Sequence, residues 1–294
     1  MKTLISVIIP TYNRAKILSK TINSILTNNI NNYEIIIVDD GSNDDTESIV
    51  NNFKNEKIKY FKINNSERGA ARNFGVKKSR GIFLNFFDSD DIAYSNHIDT
   101  ATKVIKKNET IKIFHLSYDF ISKNKKKNKT IIHTGNTNYK ILRGNFISCN
   151  SLFINKSLFN EFKFDENRNL SGSEDWDLWL RLSRNYEIHN FKEVTSAIID
   201  HDARSMNEKD LNKIIKRLQI IREKVNSNIY KNLNNLEMNK ILAHLISYEA
   251  LYQSLLASSK LIVIRNYIKS VLMDPIIIIN LRSILILKNI IFKW

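Results

Sequence analysis

The sequence predicts an α/β fold: a mostly parallel sheet with helices on both faces, followed by a helical C-terminal extension. Three observations carry this. Strand and helix signals alternate through the first hundred residues. The strand segments are continuous apolar runs rather than alternating ones, which marks strands buried on both faces, as in parallel sheets. Beyond about residue 207 strand signals cease and helical periodicity takes over. The expected division is therefore a domain over 1–207 and an extension over 208–294.

Residues 4–9 form an apolar run that Pro10 ends, and 14–26 carries Ile17, Leu18, Ile22, Ile25 and Leu26 at helical spacing. A second buried strand, 33–38, runs into Asp39-Asp40-Gly41-Ser42. A helix over 44–53, a strand over 58–63 and a helix over 66–78 follow, and then the apolar strand 81–87 runs into Asp88-Ser89-Asp90-Asp91. The pattern from 111 to 154 is less regular. Strands at 111–121 and 131–132 are expected around the Lys-rich stretch 123–129. That stretch reads as a solvated hairpin tip, with contact to an acidic acceptor or lipid as the other reading. A helix is expected over 171–185, opened by a Ser171-x-x-Glu174 capping box, with Trp176, Trp179 and Leu180 on its core face. A strand ends at Ala197-Ile198-Ile199.

Ligands of parallel α/β sheets bind at the carboxyl ends of the strands. Pro10-Thr11-Tyr12, Asp39-Asp40 and the 88–91 acids all follow strand ends, so they are expected along one edge. Neighbouring carboxylates repel unless a cation sits among them. A hard divalent ion accepts such oxygen ligands and is often shared with a substrate phosphate. The acids thus point to a metal-assisted site for a phosphorylated substrate, although a lone D-x-D is more often only an acidic turn. Tyr12 is placed to stack on a base or simply to pack. Asp39 and Asp40 are placed to bind a base or ribose, or to form a turn. Arg72, among the small residues of Arg68-Gly69-Ala70-Ala71-Arg72-Asn73, would pair with phosphate or lie on the surface. Glu174 and Asp175 suit the first turn of a helix for its dipole alone; a functional role needs a carboxylate beside the metal that takes a proton. His201 would give the metal a nitrogen ligand or contact a diphosphate.

The chain of 294 residues carries a net charge of +15, with a pI of about 9.6. An acidic partner is indicated: nucleotide, nucleic acid or anionic membrane. An Ile-, Lys- and Asn-rich composition also produces such a charge through base bias. The single cysteine, Cys149, excludes an internal disulfide and fits a reducing cytoplasm. The first residues lack the apolar core and cleavage site of a secretory signal, and no run of about 20 uncharged apolar residues exists. Residues 208–294 hold 14 Lys and Arg against 6 Asp and Glu, or +8 of the total. The final stretch, 275–294, mixes apolar clusters with Arg282, Lys288 and Lys293. It suits an interfacial helix or a helix packed on the domain or on a partner subunit.

In order, Ile5-Ser6-Val7-Ile8-Ile9-Pro10-Thr11-Tyr12-Asn13, Ile37-Val38-Asp39-Asp40-Gly41-Ser42, Gly69-Ala70-Ala71-Arg72-Asn73, Phe87-Asp88-Ser89-Asp90-Asp91 and Glu174-Asp175-Trp176-Asp177-Leu178-Trp179 resemble the family 2 glycosyltransferases of bacterial surface-glycan type. The resemblance covers about residues 3–205. It implies the GT-A fold, a Rossmann-like nucleotide-sugar-binding architecture, with a nucleotide diphosphate-sugar donor, usually UDP-linked, and Mn²⁺ or Mg²⁺. It implies that Pro10, Tyr12, Asp39 and Asp40 hold the nucleoside, with Arg72 near the nucleotide. Asp88, Ser89 and Asp90 would meet ribose, diphosphate and metal, with Asp91 and Glu174 in support and His201 as a further metal ligand. Asp175 would be the base for an inverting displacement onto a hydroxyl of a glycan or lipid-linked acceptor. No Q-x-x-R-W segment of processive synthases occurs, so a single addition is expected. The expected setting is cytoplasmic, at the inner face of the plasma membrane through 275–294, without nucleic acid.

Other readings stay open. A haloacid-dehalogenase-type phosphatase or phosphotransferase needs a hydroxyl residue where Ile92 stands. A receiver-type domain would be far shorter. An inactive nucleotide-binding relative keeps the fold without turnover.

Overall fold

The computed structural model describes residues 3–122, 128–132, 135–201, 204, 209–256 and 259–292. The chain forms two compact units. One comprises 1–137, 147–178 and 186–204, and the other 138–146, 179–185 and 205–294.

The first unit holds the sheet. Strands β1 (Ile5–Thr11) and β2 (Tyr33–Asp39) are buried at every residue, as their unbroken Ile and Val runs require. Helix α1 (Ala15–Leu26) connects them and turns Leu18, Ile22 and Ile25 inward. Helix α2 (Thr46–Asn51) leads to β3 (Ile58–Lys62), and α3 (Glu67–Lys78) leads to β4 (Phe83–Phe86). Gly75 lets α3 lie close on β1, since a Cβ there would stand 2.4 Å from Ile8 Cγ2. The order β3-β2-β1-β4 is wholly parallel, so the carboxyl ends of these strands share one edge as expected.

The irregular middle of the sequence completes the sheet in a mixed manner. Strand β5 (Ile92–Ala93) and helix α4 (His97–Lys107) precede a hairpin of β6 (Ile113–Ile121) with β7 (Asn128–Ile131). Residues 123–127 of the expected Lys-rich tip lie outside the described residues. Short helices α5 (Thr137–Lys140) and α6 (Lys156–Glu161) flank β8 (Leu152–Asn155), which runs antiparallel between β4 and β6. Helix α7 (Glu174–Ser183) precedes β9 (His189–Ile199), which pairs parallel with β6 and antiparallel with β5. The first bond within α7 runs from Asp177 N–H to Ser173 C=O. Glu174 is therefore its first helical residue, not the third that the expected capping box requires, and Ser171 Oγ instead donates to Glu67 Oε2. Trp176, Trp179 and Leu180 are buried.

The second unit contains α8 (Leu211–Asn226), α9 (Asn235–Leu255), α10 (Lys260–Met273), a 3-10 turn (Pro275–Ile279) and α11 (Leu281–Phe292). Asp210 caps α8. A capping box opens α9, with Asn234 Oδ1 accepting from Glu237 N–H at 2.9 Å and Glu237 Oε2 from Asn234 N–H at 3.1 Å. Among the described residues no helix is long and apolar enough to cross a membrane.

One core group bears on pH dependence. His97 is fully buried, between Asn85 Oδ1 at 3.1 Å and Thr195 Oγ1 at 3.0 Å. Burial pushes its imidazole down to about 3. The native protein keeps it neutral while the unfolded chain takes up a proton below about pH 6.5, so its contribution to stability is lost as pH falls through that value. Urea unfolding of wild type and His97→Gln should diverge in slope between about pH 6.5 and 4, by up to about 1.4 kcal/mol per pH unit. Parallel profiles would show that His97 is not the group responsible.

Candidate active site

The loops that follow β1 and β2 are tied together at the carboxyl edge. Asn13 N–H donates to Ser42 Oγ at 2.8 Å, and Asn43 N–H donates to Asn13 Oδ1 at 2.9 Å. Gly41 turns between them with φ +81°, a left-handed conformation that glycine adopts without strain. Pro10 is buried within β1, whereas Tyr12, just past the strand, is 46% exposed. Asp39 and Asp40 are both buried. Asp39 accepts from Ser42 N–H and from the Tyr60 hydroxyl. Asp40 accepts from the Ser66 and Glu67 N–H groups at 2.7 and 2.9 Å, fixing the start of α3. An open cleft of about 680 Å³ adjoins this corner, lined by Gly41, Asn43, Lys62, Ile63, Asn64 and Asn65.

The next loop along the edge carries the acid cluster. Thr21 of α1 fastens it, its hydroxyl donating to the carbonyls of Ser89 and Asp91 at 3.0 and 2.9 Å. Ser89 is buried. Oxygens of Asp88, Asp90 and Asp91 lie within 4.8 Å of one another. The repulsion that this implies is met by arginines. Arg72, almost fully buried, spans from Asp88 Oδ1 at 2.8 Å to Glu174 Oε1 at 2.7 Å. Arg204 reaches Asp91 at 2.6 Å and stands 3.8 Å from Asp90 and 4.0 Å from Asp88. Arg14 lies 3.6 Å from Asp90, and Arg68 3.9 Å from Glu174. Burial alone would raise the carboxyls of Asp88 and Glu174, but their arginine neighbours hold both below the usual range. At Asp91 burial wins and the carboxyl is pushed up to about 7, with Asp90 and Asp88 adding to the effect and Arg204 opposing it.

Arg72 is thus not the surface arginine that was one of its two sequence readings. It is an internal clamp that ties α3 and the 88–91 loop to α7. Asn150, which the sequence reading did not single out, joins the cluster from below. Its Oδ1 accepts from Asp88 N–H at 2.7 Å and its Nδ2 donates to Asp91 Oδ2 at 2.6 Å. Arg14 and Arg204 were also missed. Their only signals were their places three residues after β1 and three residues after His201.

The carboxylate oxygens suit a hard divalent cation. Asp91 is already committed to Arg204, Asn150 and the Ile199 N–H. Asp88 and Asp90 are only partly buried, and His201 Nε2 sits 2.8 Å from Asp90 Oδ2. These three side chains are therefore the ones placed to fit a metal, while the Asp91 carboxylate is held by the fold. Asp175 is partly exposed, with Oδ1 accepting from Trp176 N–H at 2.8 Å. It adjoins the cluster through Glu174 and the Arg72 clamp.

The chain matches the Glycosyl transferase family 2 profile over residues 6–162. It belongs to that family. It is 34% identical over 200 residues to an uncharacterised glycosyltransferase of Rickettsia conorii, covering 67% of this chain but only 33% of that one. The chain thus spans about a third of that relative's length. It is 32% identical over 187 residues to WfgD of Escherichia coli, a UDP-Glc:alpha-D-GlcNAc-diphosphoundecaprenol beta-1,3-glucosyltransferase, covering 63% of this chain and 72% of WfgD. Two solved structures share the GT-A fold. Staphylococcus aureus TarS 1-349 in complex with UDP-GlcNAc superposes with a TM-score of 0.61 at 18% identity, covering 92% of this chain and 89% of that one. The Pyrobaculum calidifontis mannosyltransferase PcManGT in complex with GDP-Man and Mn²⁺ gives 0.60 at 14%, covering 98% and 79%.

Removing the clamp strands two carboxylates, one of them buried. Arg72→Ala should cost about 3–5 kcal/mol in urea unfolding, as expected when one partner of a buried ion pair is lost. Arg68→Ala, at the longer and more exposed contact, should cost about 1 kcal/mol or less. Equal small losses would show that Arg72 carries no special share.

Proposed function

We propose that this chain is an inverting glycosyltransferase. It moves one sugar from a nucleoside diphosphate-sugar, UDP-linked by preference, to a hydroxyl of a glycan or lipid-linked acceptor in surface-glycan assembly. The observation that carries this is the grouping of two partly exposed carboxylates, Asp88 and Asp90, at the carboxyl edge of the parallel strands, with His201 beside Asp90. Their placement suits a diphosphate. The lipid-linked acceptor in WfgD's name and the UDP-GlcNAc complex of TarS support the same class of substrates.

In this reading Tyr12 offers its exposed ring to the base. Pro10, Asp39 and Asp40 shape the nucleoside corner, the two acids by holding the loop and the start of α3. Ser89 shapes the loop that faces the diphosphate. Asp88, Asp90 and His201 would hold Mn²⁺ or Mg²⁺, which would supply charge stabilisation to the departing diphosphate. Arg14 and Arg204 stand beside Asp90 and add positive charge on the side where the leaving group's charge develops. Asp175 takes the proton of the acceptor hydroxyl as its oxygen bonds to the anomeric carbon and the bond from that carbon to the diphosphate oxygen breaks. A single displacement inverts the configuration. Arg72 and Glu174 hold Asp175 in register with the 88–91 loop. Peripheral contact of residues 275–294 with the inner face of the plasma membrane would suit a lipid-linked acceptor.

Asp175→Asn keeps the shape and removes the base. Donor binding by the variant should stay within about twofold of wild type, while kcat falls by about 10²–10⁴. Transfer at near wild-type rate would show that another group takes the proton.

A further inference from the structure

The second unit is built inside out. Helix α11 turns three of its four polar side chains inward: Arg282 donates to Ser247 Oγ and to the His244 carbonyl and lies 3.6 Å over the Tyr248 ring. Asn289 donates to Ser254 Oγ at 3.0 Å, and Ser283 is fully buried. Helix α10 also turns polar groups inward, with Asn266 buried and donating to Gln253 Oε1 at 3.0 Å and Ser270 fully buried. Most of their large apolar side chains face out. Leu261 is 78% exposed, Leu272 79%, Ile279 80%, Leu281 75% and Phe292 78%, with Ile284 at 59%. A helix on a soluble core does the reverse. The apolar centre shared by α9, α10 and α11 is small, built on Ala250, Val263 and Ile286.

The charge on these outer faces has one sign. From residue 250 onward the sequence holds six Lys and Arg and a single acid, Asp274. Asp274 is buried and paired with Arg143 at 2.6 Å. Arg265, Lys269 and Lys288 are exposed among the apolar residues. An apolar face fringed only by cations matches the headgroup and acyl boundary of an anionic membrane. A second copy would fit poorly, because a two-fold contact sets the same cations against each other. The helices lie on such a surface rather than cross it. The 12 residues of α11 reach about 18 Å at 1.5 Å each, against a hydrocarbon core of about 30 Å.

We infer that the outer faces of α10, the 275–279 turn and α11 form a docking surface for an anionic phospholipid bilayer. This rests on the membrane contact proposed for 275–294 and extends it to α10, and it does not depend on the sugar-transfer reading. The polar interior serves it. By satisfying Arg282, Asn289, Asn266 and the serines among themselves, the bundle keeps its polar groups away from the lipid and leaves apolar side chains to enter it.

The test is flotation of the full chain with vesicles of phosphatidylcholine alone and with vesicles in which a quarter of the lipid is phosphatidylglycerol. Sedimentation without lipid accompanies it. The wild-type chain should float with the anionic vesicles, weakly with the neutral ones, and less as salt is raised. Ile284→Glu and Phe292→Glu alter exposed positions, so the helical circular dichroism should persist. Each should lower the bound fraction at least about tenfold, the order expected from burying one such side chain. Wild-type protein that stays in solution with anionic vesicles overturns the inference, whether monomeric or joined into a dimer that these variants dissolve. Equal flotation of wild type and variants also overturns it.

Discussion

The buried guanidinium of Arg72, held between Asp88 and Glu174, is the constraint on which the site depends. The parallel strands bring the 88–91 loop to the edge, but nothing in their geometry fixes α7, which begins almost ninety residues later in the chain. One planar cation bonded to both carboxylates sets that relation, and its near-complete burial leaves neither acid an equivalent partner in water. Asn150 and Thr21 complete the frame with uncharged hydrogen bonds to the same loop.

The cluster also balances its charge. Asp88, Asp90, Asp91 and Glu174 face Arg14, Arg68, Arg72 and Arg204. The cations that neighbouring carboxylates require are thus supplied in part by arginine side chains. Asp88 and Asp90 remain partly exposed, whereas Asp91 spends its oxygens on Arg204, Asn150 and the β9 backbone. The same four acids divide into two that are buried, Asp91 and Glu174, and two that stay partly exposed, Asp88 and Asp90.

Much of this was legible in the sequence because buried parallel strands leave unbroken Ile and Val runs, and the acids stand directly at their ends. The periodicity of 14–26 and 66–78 gave α1 and α3 to within a residue at most ends. Strand β8 was not legible: four residues of a mixed sheet look like any short apolar run, and its neighbours β4 and β6 are distant in sequence. Arg14, Arg204 and Asn150 were missed because a single polar residue shows no pattern until long-range folding gives it a partner. Ser171 and Glu174 had the spacing of a capping box, but Glu67 and Arg72 claimed them. In the final helices, the sequence mixed apolar clusters with cations; which side chains turn inward is decided by packing on α9, and Arg282, Asn289 and Asn266 do so while most large apolar ones do not.

The central claim is that the carboxyl edge of β1, β2 and β4 binds a nucleoside diphosphate with a divalent cation. Calorimetric titration of the full chain with UDP, GDP and dTDP, each with and without Mn²⁺, tests it most directly. Binding of one nucleotide that requires Mn²⁺ and disappears in Asp90→Ala is the expected result. Failure of all three nucleotides to bind, with the metal present, would contradict it.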